Sequence, residues 1–270
     1  MNSALNGLAR LVAFPSVSGS SAHAAARRAC AHWLADQLQR IGLEHVRLAP
    51  PTDAPLVQAD WRHAPGRPTV LIYGHYDVQP PGPLDQWHSP PFIATRRGNW
   101  LFGRGVSDDK GQLYAHLQAI EALLRMNGWL PVNLVCLFEG EEEVGSPGLQ
   151  RLLRQRPECL GADVVVISDS QIQAPDRPAI TLSMRGALGM ELQVEGARRE
   201  LHSGVYGGAV GNAAHVLSKL LAGLHAEDGR IAVAGFYDAI HPPGKTERAF
   251  MARQGPTNAQ ILNAAQVPPS

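Results

Sequence analysis

The stretch TVLIYGHYD, residues 69–77, decides the fold reading: a largely continuous apolar run from Thr69 to Tyr73 delivers His75 and Asp77 at its carboxyl end. Two further runs share this build, VNLVCLF from Val132 to Phe138 and VVVI from Val164 to Ile167. Such runs suit strands buried on both faces of a parallel sheet. In open α/β sheets, ligands bind beyond the carboxyl ends of the strands. Just past the ends of the three runs stand His75, then Glu142 and Glu143, then Asp169. The polar groups therefore fall where such a fold puts its chemistry, and the expected class is α/β, a mostly parallel sheet flanked by helices.

Working outward, the pattern from Ala24 to Ile41, with Trp33, Leu34 and Leu38 apolar, predicts a helix, and a Pro-rich stretch from Pro50 to Pro68 leads into the first central strand. A second helix is expected to open at Asp108, because Leu113, Leu117, Ile120 and Leu124 recur at spacings of four, three and four before Gly128 closes the segment. From about Leu188 the texture changes to an alternating strand through Met190, Leu192 and Val194. A Gly-rich loop from His202 to Gly208 and a helix-like run from Asn212 to Leu224 come next. The expected division is a domain over 1–185 and the start of a second over 186–270. The polar, Pro-terminated end from Gly255 to Ser270 is expected to add no closing element.

Composition narrows the classes. The 270 residues are 44% hydrophobic, enough for one large core or two smaller ones. The 24 basic and 24 acidic side chains leave no formal net charge. The basic footprint of a nucleic-acid binder is thus missing. Cys30, Cys136 and Cys159 have no C-x-x-C spacing and cannot all pair, which fits a reducing compartment rather than a disulfide framework or thiolate zinc site. With no signal-type leader and no apolar run long enough to span a bilayer, the expected location is cytoplasmic, with no membrane partner.

Residue types alone suggest a metal centre. A divalent ion such as zinc takes imidazole and carboxylate ligands, and two ions placed together need a carboxylate that can bridge them. His75, Asp108, Asp169 and the Glu142–Glu143 pair provide such a set. Of the adjacent glutamates, one can bind metal while the other takes a proton from the metal-bound water. Asp77, two residues after His75, is placed to accept the second imidazole N–H and fix the tautomer. Taken singly, each residue has a plainer role: Asp77 and Asp169 as turn or loop aspartates, His75 as a core histidine, Asp108 as a helix cap, and Glu141 as part of a solvated tip. The coincidence of all of them on one expected sheet edge favours the site. Competing motifs fail. There is no G-x-S-x-G or H-E-x-x-H, the Gly103–Asp108 stretch lacks the third glycine of a dinucleotide fingerprint, and residues 204–211 lack the Lys-Ser/Thr of a P-loop.

Five ordered segments, YGHYDVQP (73–80), the W-x-x-x-P-F of Trp87 to Phe92, GRGVSDDKG (103–111), EGEEEVGS (139–146) and LHSGVYGG (201–208), together resemble the M20 family of co-catalytic metallopeptidases, closest to its carnosinase-like dipeptidase branch. The resemblance runs from about Phe14 to about residue 240. It implies a zinc-peptidase-like catalytic domain and the start of an α+β lid and dimerisation domain, with two divalent ions, zinc foremost and manganese or cobalt as alternatives. It further implies His75 and Asp169 as ligands of one metal, Glu143 as a ligand of the other, Asp108 as the bridging carboxylate and Glu142 as the general base. A non-proline cis peptide between Asp108 and Asp109 is also implied. His202 resembles a lid histidine that reaches the substrate carbonyl from the neighbouring subunit, so a homodimer acting on small peptides is expected. An N-acyl amino-acid amidohydrolase on the same scaffold is the neighbouring activity. The family supplies a final histidine ligand after the lid, whereas His215, His225 and His241 lie within lid-like sequence. The chain is therefore expected to be the N-terminal portion of such an enzyme, as a fragment or as a natural truncation. By itself it is expected to be weakly active or inactive, or else a non-catalytic metal-binding or dimerising remnant.

Overall fold

The computed structural model describes residues 3–50, 52–156, 161–172, 177–181, 184 and 186–266. The chain divides into two units, Met1–Gln171 and Ile172–Ser270.

In the first unit, helices α1 (Ser3–Val12) and α2 (Ala24–Ile41) precede strands β1 (Glu44–Ala49), β2 (Leu56–Trp61) and β3 (Thr69–His75). A short hairpin comes next, β4 (Thr95–Arg97) and β5 (Trp100–Phe102), and then α3 (Lys110–Asn127), β6 (Asn133–Glu139), α4 (Pro147–Gln155) and β7 (Val164–Ile167). The main sheet has the order β1-β2-β6-β3-β7. β3 runs parallel to both β6 and β7, while β2 is antiparallel to β6 and to β1. Only β2 opposes the common direction, so the sheet is mixed and mostly parallel. Its register sets His75 beside Glu139 at the carboxyl edge.

Why the central runs are continuous is visible on β6. Leu134, Cys136 and Phe138 point to one face, where Leu34, Leu38, Leu113, Leu117 and Ile120 of α2 and α3 cover them. Val135 and Leu137 point to the other and pack with Leu56, Leu71, Leu149 and Leu152. Both helices end where glycine permits the left-handed turn that closes them, Gly42 at φ 105° and Gly128 at φ 75°.

Three expectations need correction. β7 forms as predicted but is not buried on both faces: Val164, Val165 and Ile167 are 50%, 54% and 60% exposed. Among the described strands it pairs only with β3, as the outer strand of the sheet. The alternating stretch from Leu188 to Val194 forms no strand, and Met190 is 80% exposed. Alternation signals a half-buried surface, and a strand also needs a partner ladder, which these residues lack among those described. In the second unit, the chain after Gly255 is not featureless. α5 (Ser203–Tyr206), α6 (Ala213–Ala222) and α7 (Lys245–Gln254) are followed by α8 (Asn258–Ala264). Thr257 and Gln260 form a reciprocal capping box at its start. The predicted run from Asn212 is α6, with the Asn212 side chain accepting from the Ala214 N–H at 2.9 Å. Cys159 lies outside the described residues.

Candidate metal centre

His75 is the last residue of β3, and its side chain is fully buried. Nδ1 lies 3.1 Å from the main-chain oxygen of Asp77 and 3.4 Å from Asp77 Oδ1. With Nδ1 engaged there, Nε2 is the ring nitrogen left facing the site. That atom lies 3.0 Å from Asp108 Oδ1 and 3.5 Å from Asp169 Oδ2, yet has no hydrogen-bond partner. Donor atoms of His75, Asp108 and Asp169 all fall within 4.8 Å of one another. A buried imidazole nitrogen facing two carboxylates calls for positive charge among them, which a proton on the ring or a bound cation supplies. The residues present therefore fit a divalent ion of the type that takes nitrogen and oxygen ligands.

The electrostatics agree. Burial opposes charge on His75, but the Asp77 hydrogen bond and the negative fields of Asp77, Asp109 and Glu142 outweigh it and push its pKa up to about 10. Burial raises Glu142 above the usual carboxylate range. His75 pulls it down, and Glu143, Asp169 and Asp77 add to the rise. These are signs of a site holding more negative charge than its own cationic side chains balance.

Asp108 sits just ahead of α3, across a cis peptide bond from Asp109, as the resemblance implies. It is not the helix cap: Asp109 holds that position, and even its side chain makes no capping bond. Instead the buried Asp109 Oδ2 accepts the His75 N–H at 3.1 Å, while Oδ1 has no partner. Burial lifts this carboxyl to about 7. Gly74 makes room for it, since a Cβ there would lie 2.8 Å from Asp109 Oδ2.

Beyond β6, a 3-10 turn, Glu142–Val144, carries the adjacent glutamates. Its first two N–H groups donate to Asp77, Glu142 to Oδ1 and Glu143 to Oδ2, each at 3.2 Å. Glu143 stands outside the three-residue cluster, and its Oε2 accepts from Gln79 Nε2 at 2.8 Å. Glu141 is not an idle acidic tip: its Oε2 accepts from the Gly148 N–H at 3.1 Å, in the first turn of α4. There a carboxylate also suits the helix dipole. His202 belongs to the second unit, where its Nδ1 caps α5 by accepting from the Gly204 N–H at 3.0 Å.

Sequence reasoning missed Asp109, Glu139, Ser18 and Gln79. Asp109 had a signal, being the second of two adjacent aspartates. Glu139 could have been found from strand register, as the partner of His75 across β3 and β6. It is fully buried, with Oε1 accepting from the Tyr73 hydroxyl at 2.6 Å, and burial raises its pKa.

Known proteins are similar in sequence and in fold. The Cys-Gly metallodipeptidase DUG1 of Candida albicans is 35% identical over 251 residues, covering 87% of this chain and 52% of the relative. The Beta-Ala-His dipeptidase of Rattus norvegicus is 34% identical over 198 residues, 73% of this chain and 40% of that one. The chain thus spans about half the length of the curated relatives it matches. The crystal structure of human carnosine dipeptidase 1 superposes with a TM-score of 0.73 at 26% identity, over 100% of this chain and 59% of that one. An M20 family metallo-carboxypeptidase from Sulfolobus solfataricus superposes at 0.82 and 28%, over 100% and 60%. Residues 71–259 match the family described as peptidase family M20/M25/M40, and the chain belongs to it.

Proposed function

We propose that these residues form the metal-binding and proton-transferring half of a two-metal dipeptidase that cleaves dipeptides or similarly short peptides. One observation carries the reading: the buried His75, tied at Nδ1 by Asp77, aims an unpartnered Nε2 at the carboxylates of Asp108 and Asp169. His75 and Asp169 would hold one ion, Glu143 the other, and Asp108 would bridge them. Zinc suits this donor set, with manganese or cobalt as alternatives. When bound, such ions polarise the scissile carbonyl and lower the pKa of water. Glu142 takes a proton from the attacking water as its oxygen bonds to the carbonyl carbon, and delivers that proton to the amine as the C–N bond breaks. His202, contributed by a second copy in a homodimer, would donate to the carbonyl oxygen as charge develops there.

The Candida and rat relatives are both dipeptidases, which supports a dipeptide over an N-acyl amino acid as substrate. Cys30 and Cys136, both free and buried, support a reducing, cytoplasmic location. The test is hydrolysis by the zinc-loaded protein of Cys-Gly and β-Ala-His against N-acetyl amino acids. The expected result is cleavage of dipeptides, weak in a chain that spans about half the length of its relatives, and lowered roughly a further 10²- to 10⁴-fold by Glu142→Gln with zinc content unchanged. Preference for the N-acetyl substrates, or full turnover by Glu142→Gln, would overturn the reading.

A further inference from the structure

The side chain of Asp77 does more than orient one imidazole. Its carboxylate is fully buried and faces His75 Nδ1 and the Glu142 N–H at Oδ1, and the Glu143 N–H at Oδ2. At Oδ2 it also accepts from the hydroxyl of Ser18. Ser18 comes from a segment that carries no candidate ligand, the FPSVSG stretch between α1 and α2.

That segment is anchored as a strap. Ser18 N–H donates to the Val78 oxygen at 3.1 Å, Val78 N–H to the Ser16 oxygen at 3.1 Å, and the Ser16 hydroxyl to the Tyr76 oxygen at 2.6 Å. Two buried cations then hold its main chain. Lys110 Nζ donates to the oxygens of Leu11 at 3.1 Å and Phe14 at 2.7 Å. Arg27 Nη1 donates to those of Val17 at 2.5 Å and Ser20 at 2.8 Å. Both side chains are almost wholly inaccessible, Lys110 at 0% and Arg27 at 6% exposure. Burying a cation is costly, and these two are committed to main-chain carbonyls of a ten-residue stretch. Lys110 directly follows Asp108 and Asp109, so the segment that offers the central carboxylate also pins the strap.

We propose that Ser18 is a positioning residue of the metal centre, and that the strap from Leu11 to Ser20 is the brace that holds it against Asp77. The torsion that rotates an aspartate carboxylate is broad and two-fold. A hydroxyl donor on Oδ2 selects one rotation. That rotation sets Oδ1 toward the imidazole and both oxygens toward the two amides of the glutamate turn. Ser18 thereby couples the direction of His75 to the position of Glu142 and Glu143. The role of Ser18 rests on the reading of His75, Asp108 and Asp169 as a metal centre.

The test compares Ser18→Ala and Ser18→Thr with the unaltered 270-residue chain by Co²⁺ titration, following the visible absorption of the bound ion, and by hydrogen exchange at the Glu142 and Glu143 amides. The expected result is Co²⁺ affinity lowered about 10- to 100-fold in Ser18→Ala, the range for losing a group that orients a ligand, with an altered absorption band. Ser18→Thr, which keeps the hydroxyl, restores both. Exchange at the two amides accelerates in Ser18→Ala, while amides in β6 stay protected and show that the fold persists. Affinity, band and amide exchange all unchanged in Ser18→Ala overturn the proposal. If the unaltered chain takes up no Co²⁺, the metal-centre reading fails on its own, and the amides decide: faster exchange supports the brace, and unchanged exchange overturns it.

Discussion

Two cysteines show how firmly single side chains are held in this fold. Cys30 on α2 and Cys136 on β6 are fully buried on the same face of the sheet. Burial pushes the Cys30 thiol up to about 11 and that of Cys136 up to about 12, from an ordinary value of 9.0. The thiolate is the reactive form, so neither thiol should react with a disulfide reagent at pH 8 in the native protein, although both should in denaturant. The folded state also binds these protons more tightly than the unfolded chain does. Their stabilising contribution is full below pH 9 and is lost as the pH rises through the folded values, by about 1.4 kcal/mol per thiol per pH unit at most. Urea midpoints measured from pH 8 to 11 should fall above pH 9, and a Cys136→Ala chain should show a shallower fall. A fast native thiol reaction, or a flat alkaline profile, would contradict the packing described here.

At the scale of elements, α3 is the one on which the site depends most, because its start places Asp108, Asp109 and Lys110. Gly111, in its first turn, is closed in by the preceding loop: a Cβ there would lie 2.0 Å from the Val106 main-chain oxygen. Gly111→Ala must displace backbone, and should cost about 3 kcal/mol or more. A chemical-denaturation midpoint within error of the unaltered chain would refute that. α3 was legible in sequence from its apolar spacing and Gly128, and β3, β6 and β7 from their continuous runs, because period and composition report which faces are covered. The carboxyl-edge location of His75 and Asp169 came from the same logic. What could not be read depends on partners distant in sequence. Leu188 to Val194 alternates without a ladder partner, and β7 reads as buried while its faces stay open. Ser18 meets Asp77 only because the chain folds back across 59 residues. The α8 capping box was readable from Thr257 and Gln260, but a short polar helix offers no apolar period to draw attention to it.

For the whole molecule, zero net charge conceals a strongly uneven distribution. Asp77, Asp108, Asp109, Glu139, Glu142, Glu143 and Asp169 all lie in or beside one edge of one sheet. The buried cations nearby, Lys110 and Arg27, bond to main-chain oxygens. Such an edge calls for a divalent ion, and elemental analysis of the 270-residue chain after equilibration with zinc and exhaustive dialysis tests for it. At least one tightly held zinc per chain, lost in His75→Ala, is the predicted result. A chain that retains no zinc, or one that retains as much when His75 is replaced, would contradict a metal centre built on His75.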